Sequence, residues 1–242
     1  MATLPHSYEE GLYAKDTFFV FNDFLNFATG TDGWTSLAAD SGTTVAVADG
    51  VRGVAALGTG ATDNNECSLR TTTELFLVAD NKPLRFDTRV QYTEALTDDA
   101  NVLAGFMSAL AANALVDDGA GVRTTGNYFV FFKVDGETTW RVRSRNGTET
   151  ETHDTGVTAG GASYQRLRIE LDNEGSGSTN VRATFWIDDV QCTDAGSSGR
   201  PKIVHTIAIS GSTEMNAGVY VKAGGANAET LNCDYLYASQ RR

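Results

Sequence analysis

The sequence predicts an all-β fold, a two-sheet antiparallel jelly-roll sandwich, from two observations. Apolar and polar residues alternate along the chain from about Phe18 onward, and Gly, Asn or Asp interrupts the alternation roughly every 8 to 15 positions. Helical periodicity is nearly absent, which argues against helical layers. About a dozen short strands joined by Gly-rich turns favour two packed antiparallel sheets.

The clearest hairpin reads "NYFVFFKV", then "DGET", then "TWRVRSRNG". Residues 128–132 are apolar on both faces, which predicts a central strand with packing on each side. The pair Asp135-Gly136 supplies the positive φ values that a tight turn needs. In the second strand, arginines occupy every other position and Trp140 belongs to the intervening set. We therefore expect one face of this strand to be solvent-exposed and basic.

A second hairpin reads "YQRLRIELD", a Gly/Ser/Asn loop, then "NVRATFWIDDVQC". Leu167, Ile169 and Leu171 point one way and predict the buried face. The opposite face then carries arginines and acids from both strands, together with Trp186, and cross-strand pairing of these charges is expected. Upstream, five further segments read as strands: "TVAVADG", "GVAALGTG", "ECSLRTT", "LRFDTRVQYTE" and "NVLAGFMSAL". Downstream, "IVHTIAIS", "NAGVYVKAGG" and "AETLNCDYLYASQ" complete the predicted set.

The first 16 residues lack alternation, so we interpret 1–16 as an N-terminal arm and 17–242 as one sandwich domain. The chain has 242 residues, a formal net charge of -12 and a pI near 4.6, which argue against nucleic acid or an anionic membrane as partner. Its three cysteines have no metal-ligand spacing and are expected to be buried free thiols in a reducing compartment. The start lacks a signal peptide pattern, so we expect synthesis in a cytoplasm.

Three stretches resemble known proteins. The hairpin "YQRLRIELD…NVRATFWIDD" resembles the strand pair of concanavalin A-like lectin/glucanase domains, including laminin-G-like ones, although Asp189 stands where a turn Gly is usual. The end, "GVYVKAGGANAETLNCDYLYASQRR", and the opening, from "VFNDFLNF" to "ECSLRTT", are similar to sandwiches in tailed-phage structural proteins. The resemblance implies a concanavalin A-like jelly roll from about Phe18 and a place in a virion.

The β-glucanase resemblance also implies an active site on "RLRIELDNEG", where carboxylates at alternate positions act as nucleophile and general acid. Glu170 and Asp172 satisfy this spacing, whereas we expect Glu174 to have entered the turn. Neighbouring arginines would depress the pKa values that a general acid needs raised. We therefore favour a solvated or interface strand and predict no catalytic residues.

Other residues allow two interpretations each. Four acidic clusters in turns could coordinate Ca²⁺ through loop oxygens, or could be solvated turn residues: Asp98 and Asp99, Asp117 and Asp118, Asp188 and Asp189, and Asp63 with Glu66. Trp186 and Trp140 are candidates for carbohydrate binding, within a wider aromatic set that otherwise reads as core: Tyr128, Tyr220, Tyr235 and Tyr237. His6, His153 and His205 are scattered along the chain, and no Ser/His/Asp set is legible.

Three hypotheses on function follow. The first is a non-enzymatic virion structural protein that decorates or cements a phage capsid, binding the major capsid protein and copies of itself, with a trimer as the preferred assembly. The second is a carbohydrate-binding module of a tail fibre or decorated head that adheres to host glycans. The third is a β-glucanase-like hydrolase. No resident cofactor is predicted.

Overall fold

The computed structural model describes residues 16–25, 27–30, 33–48, 53–161, 163–173 and 177–242. The predicted N-terminal arm lies outside these residues apart from Asp16. The described residues form eighteen β-strands: β1 (Thr17–Asn22), β2 (Trp34–Ala38), β3 (Thr44–Ala48), β4 (Val54–Gly58), β5 (Glu66–Thr71), β6 (Leu84–Thr93), β7 (Ala100–Met107), β8 (Leu115–Val116), β9 (Gly121–Val122), β10 (Tyr128–Lys133), β11 (Thr139–Asn146), β12 (Glu149–Thr158), β13 (Gln165–Asn173), β14 (Asn180–Ile187), β15 (Val190–Gln191), β16 (Val204–Ala208), β17 (Asn216–Ala223) and β18 (Thr230–Arg241). They include no helix with the length and apolar character that a membrane span requires.

The strands form two large antiparallel sheets, which confirms the predicted two-sheet jelly-roll sandwich. Sheet I has the order β15-β14-β13-β6-β18-β4-β3, with β1 also paired to β18 and β16 to β14. Sheet II has the order β12-β11-β10-β7-β17-β5-β2, and β8 pairs with β9 in a small third sheet.

The two large sheets pack face to face around the main apolar core. Aromatic rings join them: Phe86 of sheet I lies 5.7 Å from Phe106 of sheet II, and Phe185 of sheet I lies 5.5 Å from Phe131 of sheet II, measured between ring centroids. Both contacts are edge-to-face, the favoured arrangement of aromatic pairs. These rings fix how the two sheets stack.

Both predicted hairpins are present. In the first, Gly136 has φ 78° and the amide of Glu137 bonds to the carbonyl of Val134 at 3.1 Å, as in a type II turn. Asp135 does not have the positive φ that we expected, because a type II turn needs it only at its third residue. In the second hairpin, Ile169 pairs with Phe185 and both are buried, as the alternation predicts.

All eight further predicted segments contain strands, but β2, the polar strand β12 and the two-residue strands β8, β9 and β15 were not predicted. The strand β12 reads "ETETHDTGVT" and is an edge strand of sheet II. An edge strand can be polar on both faces, so it lacks the alternation that identifies a strand in sequence.

The outer face of sheet II is covered by residues 108–127, which we call the cover segment. Beneath it, outward-facing side chains of β7, β10 and β17 form a second apolar cluster with Leu110, Leu115 and Val122 of the cover segment. The prediction that β10 has packing on both faces is therefore confirmed.

A buried polar cluster also fastens the cover segment to sheet II. Glu66 accepts hydrogen bonds from the amide of Asn113 at 2.8 and 2.9 Å and from the hydroxyl of Tyr220. The Lys222 ammonium lies 3.6 Å from Glu66 and also donates to Asp117. Buried charges need such partners, so this cluster fixes the position of the cover segment.

We predict that Gly105→Ala destabilises the protein by about 3 kcal/mol, since a methyl group there combines backbone strain with overpacking. Gly105 has φ 147°, and a Cβ atom would lie 2.3 Å from the carbonyl oxygen of Phe129. The control is Gly136→Ala, where φ is 78° but no atom lies within 4 Å. The Gly136→Ala substitution should lower the free energy of unfolding by about 1 kcal/mol. Urea unfolding measures both, and equal losses would contradict the packing argument.

Candidate functional site

Many charged and aromatic side chains lie on the outer face of sheet I. Alternation along β13 buries Leu167, Ile169 and Leu171, so the intervening side chains point to solvent. The same alternation operates on β14, β6, β18 and β1. We call this surface the sheet I outer face; its principal members are Phe19, Phe21, Arg85, Asp87, Arg89, Arg166, Arg168, Glu170, Asp172, Arg182, Trp186, Tyr235 and Tyr237.

Asp87 is the centre of the charge network on this face. Its carboxylate accepts hydrogen bonds from Arg166 at 2.6 and 2.9 Å, from the Tyr235 hydroxyl at 2.7 Å and from Arg85 at 3.0 Å. Burial would raise the pKa of Asp87, but the hydrogen bonds from Arg166, Tyr235 and Arg85 outweigh it, and the pKa lies below its usual value. Asp87 is therefore held ionised.

A second group of ion pairs adjoins the first. Asp189 accepts from Arg166 at 2.8 Å and from Arg168 at 3.0 Å, and the Arg168 Nε lies 3.2 Å from the Glu170 carboxylate. The Arg168 guanidinium also lies 4.6 Å from the centroid of the Trp186 ring. The cross-strand pairing of arginines and acids that the sequence predicts is thus observed, and it includes an aromatic ring.

Aromatic side chains extend the face to the β1 edge. Phe19 stacks near Tyr237 and Phe21 near Tyr235, each with 6.4 Å between ring centroids. Phe19 and Phe21 are 55% and 53% exposed, large fractions for phenylalanine. Sequence reasoning did not single out these two residues, although the alternation in "TFFVFN" places them opposite Phe18 and the core.

One row of residues crosses the face from side to side. Strand registers align Trp186, Arg168, Asp87, Tyr237 and Phe21 on five neighbouring strands. With about 4.8 Å between strands, the row is about 19 Å long. Next to it lies an open depression of about 610 Å³ lined by Arg85, Glu170, Asp172 and Arg241, among others.

Of the aromatic residues that the sequence proposed for carbohydrate binding, only some reach the surface. Trp186 is half-buried on the sheet I outer face, as are Tyr235 and Tyr237. Trp140 is fully buried and its Nε1 donates to Gln165 at 2.8 Å, so its assignment as a glycan contact is corrected. Tyr128 and Tyr220 are buried beneath the cover segment.

The two carboxylates of "RLRIELDNEG" that the structure describes are not arranged as a recognisable catalytic set. Glu170 and Asp172 share the outer face of β13, whereas Glu174 lies outside the described residues. Glu170 is paired with Arg168, and the most buried acid on the face is Asp87, which comes from β6 and was not predicted. A general acid needs a raised pKa, whereas that of Asp87 is lowered.

Most of the predicted Ca²⁺ ligands are turn residues or members of ion pairs. Positive φ values mark Asp98, Asp118, Asp188 and Asp189 as turn residues. Asp117 pairs with Lys222, and Asp99 accepts from Asn227 at 3.3 Å. In the described part of the chain, no group of three or more His, Cys, Asp and Glu side chains is arranged to hold a metal ion.

Two histidines that we interpreted as scattered are in fact hydrogen-bonded to each other. The Nδ1 atom of His153 lies 3.0 Å from the Nε2 atom of His205, whose Nδ1 lies 2.7 Å from the Ser144 hydroxyl. Asp194 lies 4.0 Å from the other side of His153. Burial, and to a lesser extent the neighbouring His153 ring, lower the pKa of His205 to about 3, so His205 is neutral at physiological pH. Ser144 is fully buried, so this chain of contacts links the two sheet edges and exposes no nucleophile.

The three cysteines are confirmed as buried free thiols. Cys67, Cys192 and Cys233 form no disulfide, and burial raises the pKa of each thiol to about 12. Thiols in this state are poor nucleophiles, so they contribute to packing.

No protein-family model and no curated protein sequence matches this chain. Solved structures do match. The endo-1,3-β-glucanase of Streptomyces sioyaensis aligns over 100% of this chain and 99% of its own, with TM-score 0.59 and 13% identity. The carbohydrate recognition domain of Emp46p in a potassium-bound form aligns over 90% of this chain and 94% of its own, with TM-score 0.55 and 12% identity. Peanut lectin aligns over 93% of this chain and 97% of its own, with TM-score 0.54 and 11% identity.

These likenesses define the class of fold. The chain is an all-β sandwich of the concanavalin A-like lectin/glucanase type, which confirms the fold that the second hairpin indicated. Its structural neighbours include both carbohydrate-binding domains and glucanases.

We predict that Asp87→Asn lowers the free energy of unfolding by about 2 kcal/mol at neutral pH, because hydrogen bonds to a buried charge are lost. The folded-state pKa of Asp87 is lowered, so its contribution is complete above the unfolded-state pKa of about 3.9 and disappears as pH falls through the folded-state value. The difference between variant and wild type should therefore shrink in acid.

Urea unfolding at several pH values measures this difference. The control is Glu170→Gln, which removes a more exposed partner and should cost less than about 1 kcal/mol. A difference between Asp87→Asn and wild type that does not change with pH would contradict the assignment of Asp87 as the ionised centre.

Proposed function

We propose that this protein is a non-enzymatic glycan-binding protein and that the sheet I outer face is its binding surface. The observation that carries the proposal is the row from Trp186 to Phe21, in which aromatic rings lie beside guanidinium and carboxylate groups. Rings can pack on the apolar faces of sugars, while the charged groups can hydrogen-bond their hydroxyls. The concanavalin A-like fold, found in both lectins and glucanases, supports this choice.

The charge network supports binding rather than hydrolysis. Retaining and inverting glycosidases both need one carboxylic acid that is protonated before it acts. On this face the acids Asp87, Asp189 and Glu170 are all paired with arginines. For Asp87, these hydrogen bonds hold the pKa below its usual value, so this carboxylate is unsuited to donating a proton.

We predict that Trp186→Ala and Phe21→Ala each weaken glycan binding about tenfold, which corresponds to about 1.4 kcal/mol. A glycan array probed with and without Ca²⁺ identifies the ligand, and titration calorimetry then compares the variants. Leu96→Ala serves as the control, since Leu96 is 56% exposed but lies in the loop between β6 and β7.

Silence across the array, or unchanged affinity in both aromatic variants, would contradict the proposal. Turnover of β-glucans by the wild type that is lost in Glu170→Gln would instead establish the glucanase-like alternative.

A second candidate function is decoration of a phage capsid, for which one exposed apolar surface could supply the contact. Phe19, Phe21 and Leu25 are exposed at the start of the described chain, directly after the predicted arm. Exposed apolar patches of this kind are typical of protein interfaces. In this role the protein, made in the host cytoplasm, would bind the major capsid protein in the virion.

For this second candidate we predict that the protein co-purifies with intact virions in hundreds of copies. This order of magnitude is expected if one copy of the domain binds at each site of a symmetric shell. Deletion of residues 1–16 should then reduce its occupancy, as measured by quantitative mass spectrometry of the particles. A few copies per particle would indicate a tail or fibre position, and unchanged occupancy would remove the arm from the interface.

A further inference from the structure

Three arginines on the outer side of sheet II lack an acidic partner. Arg143 and Arg145 alternate with the buried Val142 and Ser144, so they share the outer face of β11 that the sequence predicts to be basic. Arg123 belongs to the cover segment above this strand. None of the three forms an ion pair with a carboxylate among the described residues.

The lack of acidic partners is unusual in this protein. Aspartate and glutamate number 31, against 19 lysines and arginines, so a carboxylate is available for most cations. Four outward arginines of sheet I are paired in this way: Arg85 and Arg166 with Asp87, Arg89 with Asp234, and Arg168 with Asp189 and Glu170. The three arginines on the outer side of sheet II therefore carry charge that no ion pair balances.

The residues around these arginines do not supply the missing acid. Strand registers place the exposed Thr150 and Thr152 of β12 opposite the two arginines of β11. Both glutamates of β12 instead accept hydrogen bonds from amides of β16. The charge of Glu74 reaches Arg123, but the Glu74 carboxylate accepts the amide of Ala109.

The cover segment holds all three guanidinium groups in place through its backbone. A guanidinium has five N–H donors, so one hydrogen bond to a carbonyl orients it and leaves other donors for a ligand. The carbonyls that accept these bonds are those of Ser108 for Arg123, Val122 for Arg143 at 3.0 Å, and Thr124 for Arg145.

Buried polar atoms at the same place also lack partners. The Tyr128 hydroxyl and the Nε atoms of Arg123, Arg143 and Arg145 are buried without a hydrogen bond in the described part of the chain. Burial raises the pKa of Tyr128, and the charges of Arg143, Arg145 and Arg123 act to lower it, so all three lie near its hydroxyl. Tyr128 is also directly opposite Arg145 on β10. Unsatisfied buried groups of this kind commonly mark the place of a water or an ion.

We propose that Arg123, Arg143 and Arg145 form a binding site for a phosphate or sulfate group. The planar fork of arginine donates two parallel hydrogen bonds to such oxyanions. One fork satisfies the two oxygens of a carboxylate, whereas a tetrahedral anion offers oxygens to several guanidinium groups and to the hydroxyls of Thr150 and Thr152. The site lies on sheet II, so it does not depend on the glycan binding proposed for the sheet I outer face.

Titration calorimetry of the intact protein at constant ionic strength tests the proposal, with inorganic phosphate and inorganic sulfate as separate ligands. We expect saturable binding of at least one of them, and the tighter ligand identifies the group. Arg143→Gln and Arg145→Gln should each weaken this binding about tenfold, because each removes charge-assisted hydrogen bonds. Arg145→Lys keeps the charge but loses the fork, so its affinity should lie between those of the wild type and Arg145→Gln.

Arg200→Gln is the matched control. Arg200 also donates to a backbone carbonyl, that of Thr155 at 3.0 Å, but it lies in the loop between β15 and β16, so its loss should leave the affinity unchanged. Circular dichroism confirms that each variant is folded. Absence of saturable binding of both anions, or an affinity that both glutamine variants on β11 leave unchanged, would overturn the proposal. Tighter binding of acetate than of either anion would overturn the assigned ligand class.

Discussion

Each large sheet must bury an apolar face against the other, and this requirement determines the rest of the molecule. Because side chains alternate along a strand, burying Leu167 and Ile169 on β13 forces Arg166, Arg168 and Glu170 to the opposite face. Neighbouring strands repeat this pattern in register. The charged and aromatic surface of sheet I is therefore a direct product of the core packing, and its row from Trp186 to Phe21 follows the strand registers.

Much of this arrangement could be predicted from local sequence. The alternation identified both hairpins and their inward residues, and it also placed Trp186 outside. The same rule could have excluded Trp140 from carbohydrate binding, since Trp140 shares a face with the buried Val142. The polar strand β12 was missed because an edge strand need not carry the apolar half of the pattern.

Contacts between distant parts of the chain could not be predicted in this way. Asp87 and Arg166 are 79 residues apart, and His153 and His205 are 52 residues apart. The sequence around Asp87 contains its near partner Arg85 but gives no sign of the distant partners Arg166 and Tyr235. These contacts depend on which strands become neighbours, here β6 beside β13 and β12 near β16, and a single sequence does not specify that order.

The cover segment has a consequence for the order in which the structure assembles. It joins β7 to β10, which are near in sequence, yet its charged anchor Lys222 lies on β17, 105 residues from Asp117. Docking therefore requires β17 to be already in place beside β7. We expect the cover segment to be a late-forming unit whose amides exchange with solvent by local opening, faster than those of the sheet beneath it. Hydrogen exchange measured by mass spectrometry would contradict this if both exchanged at the same rate.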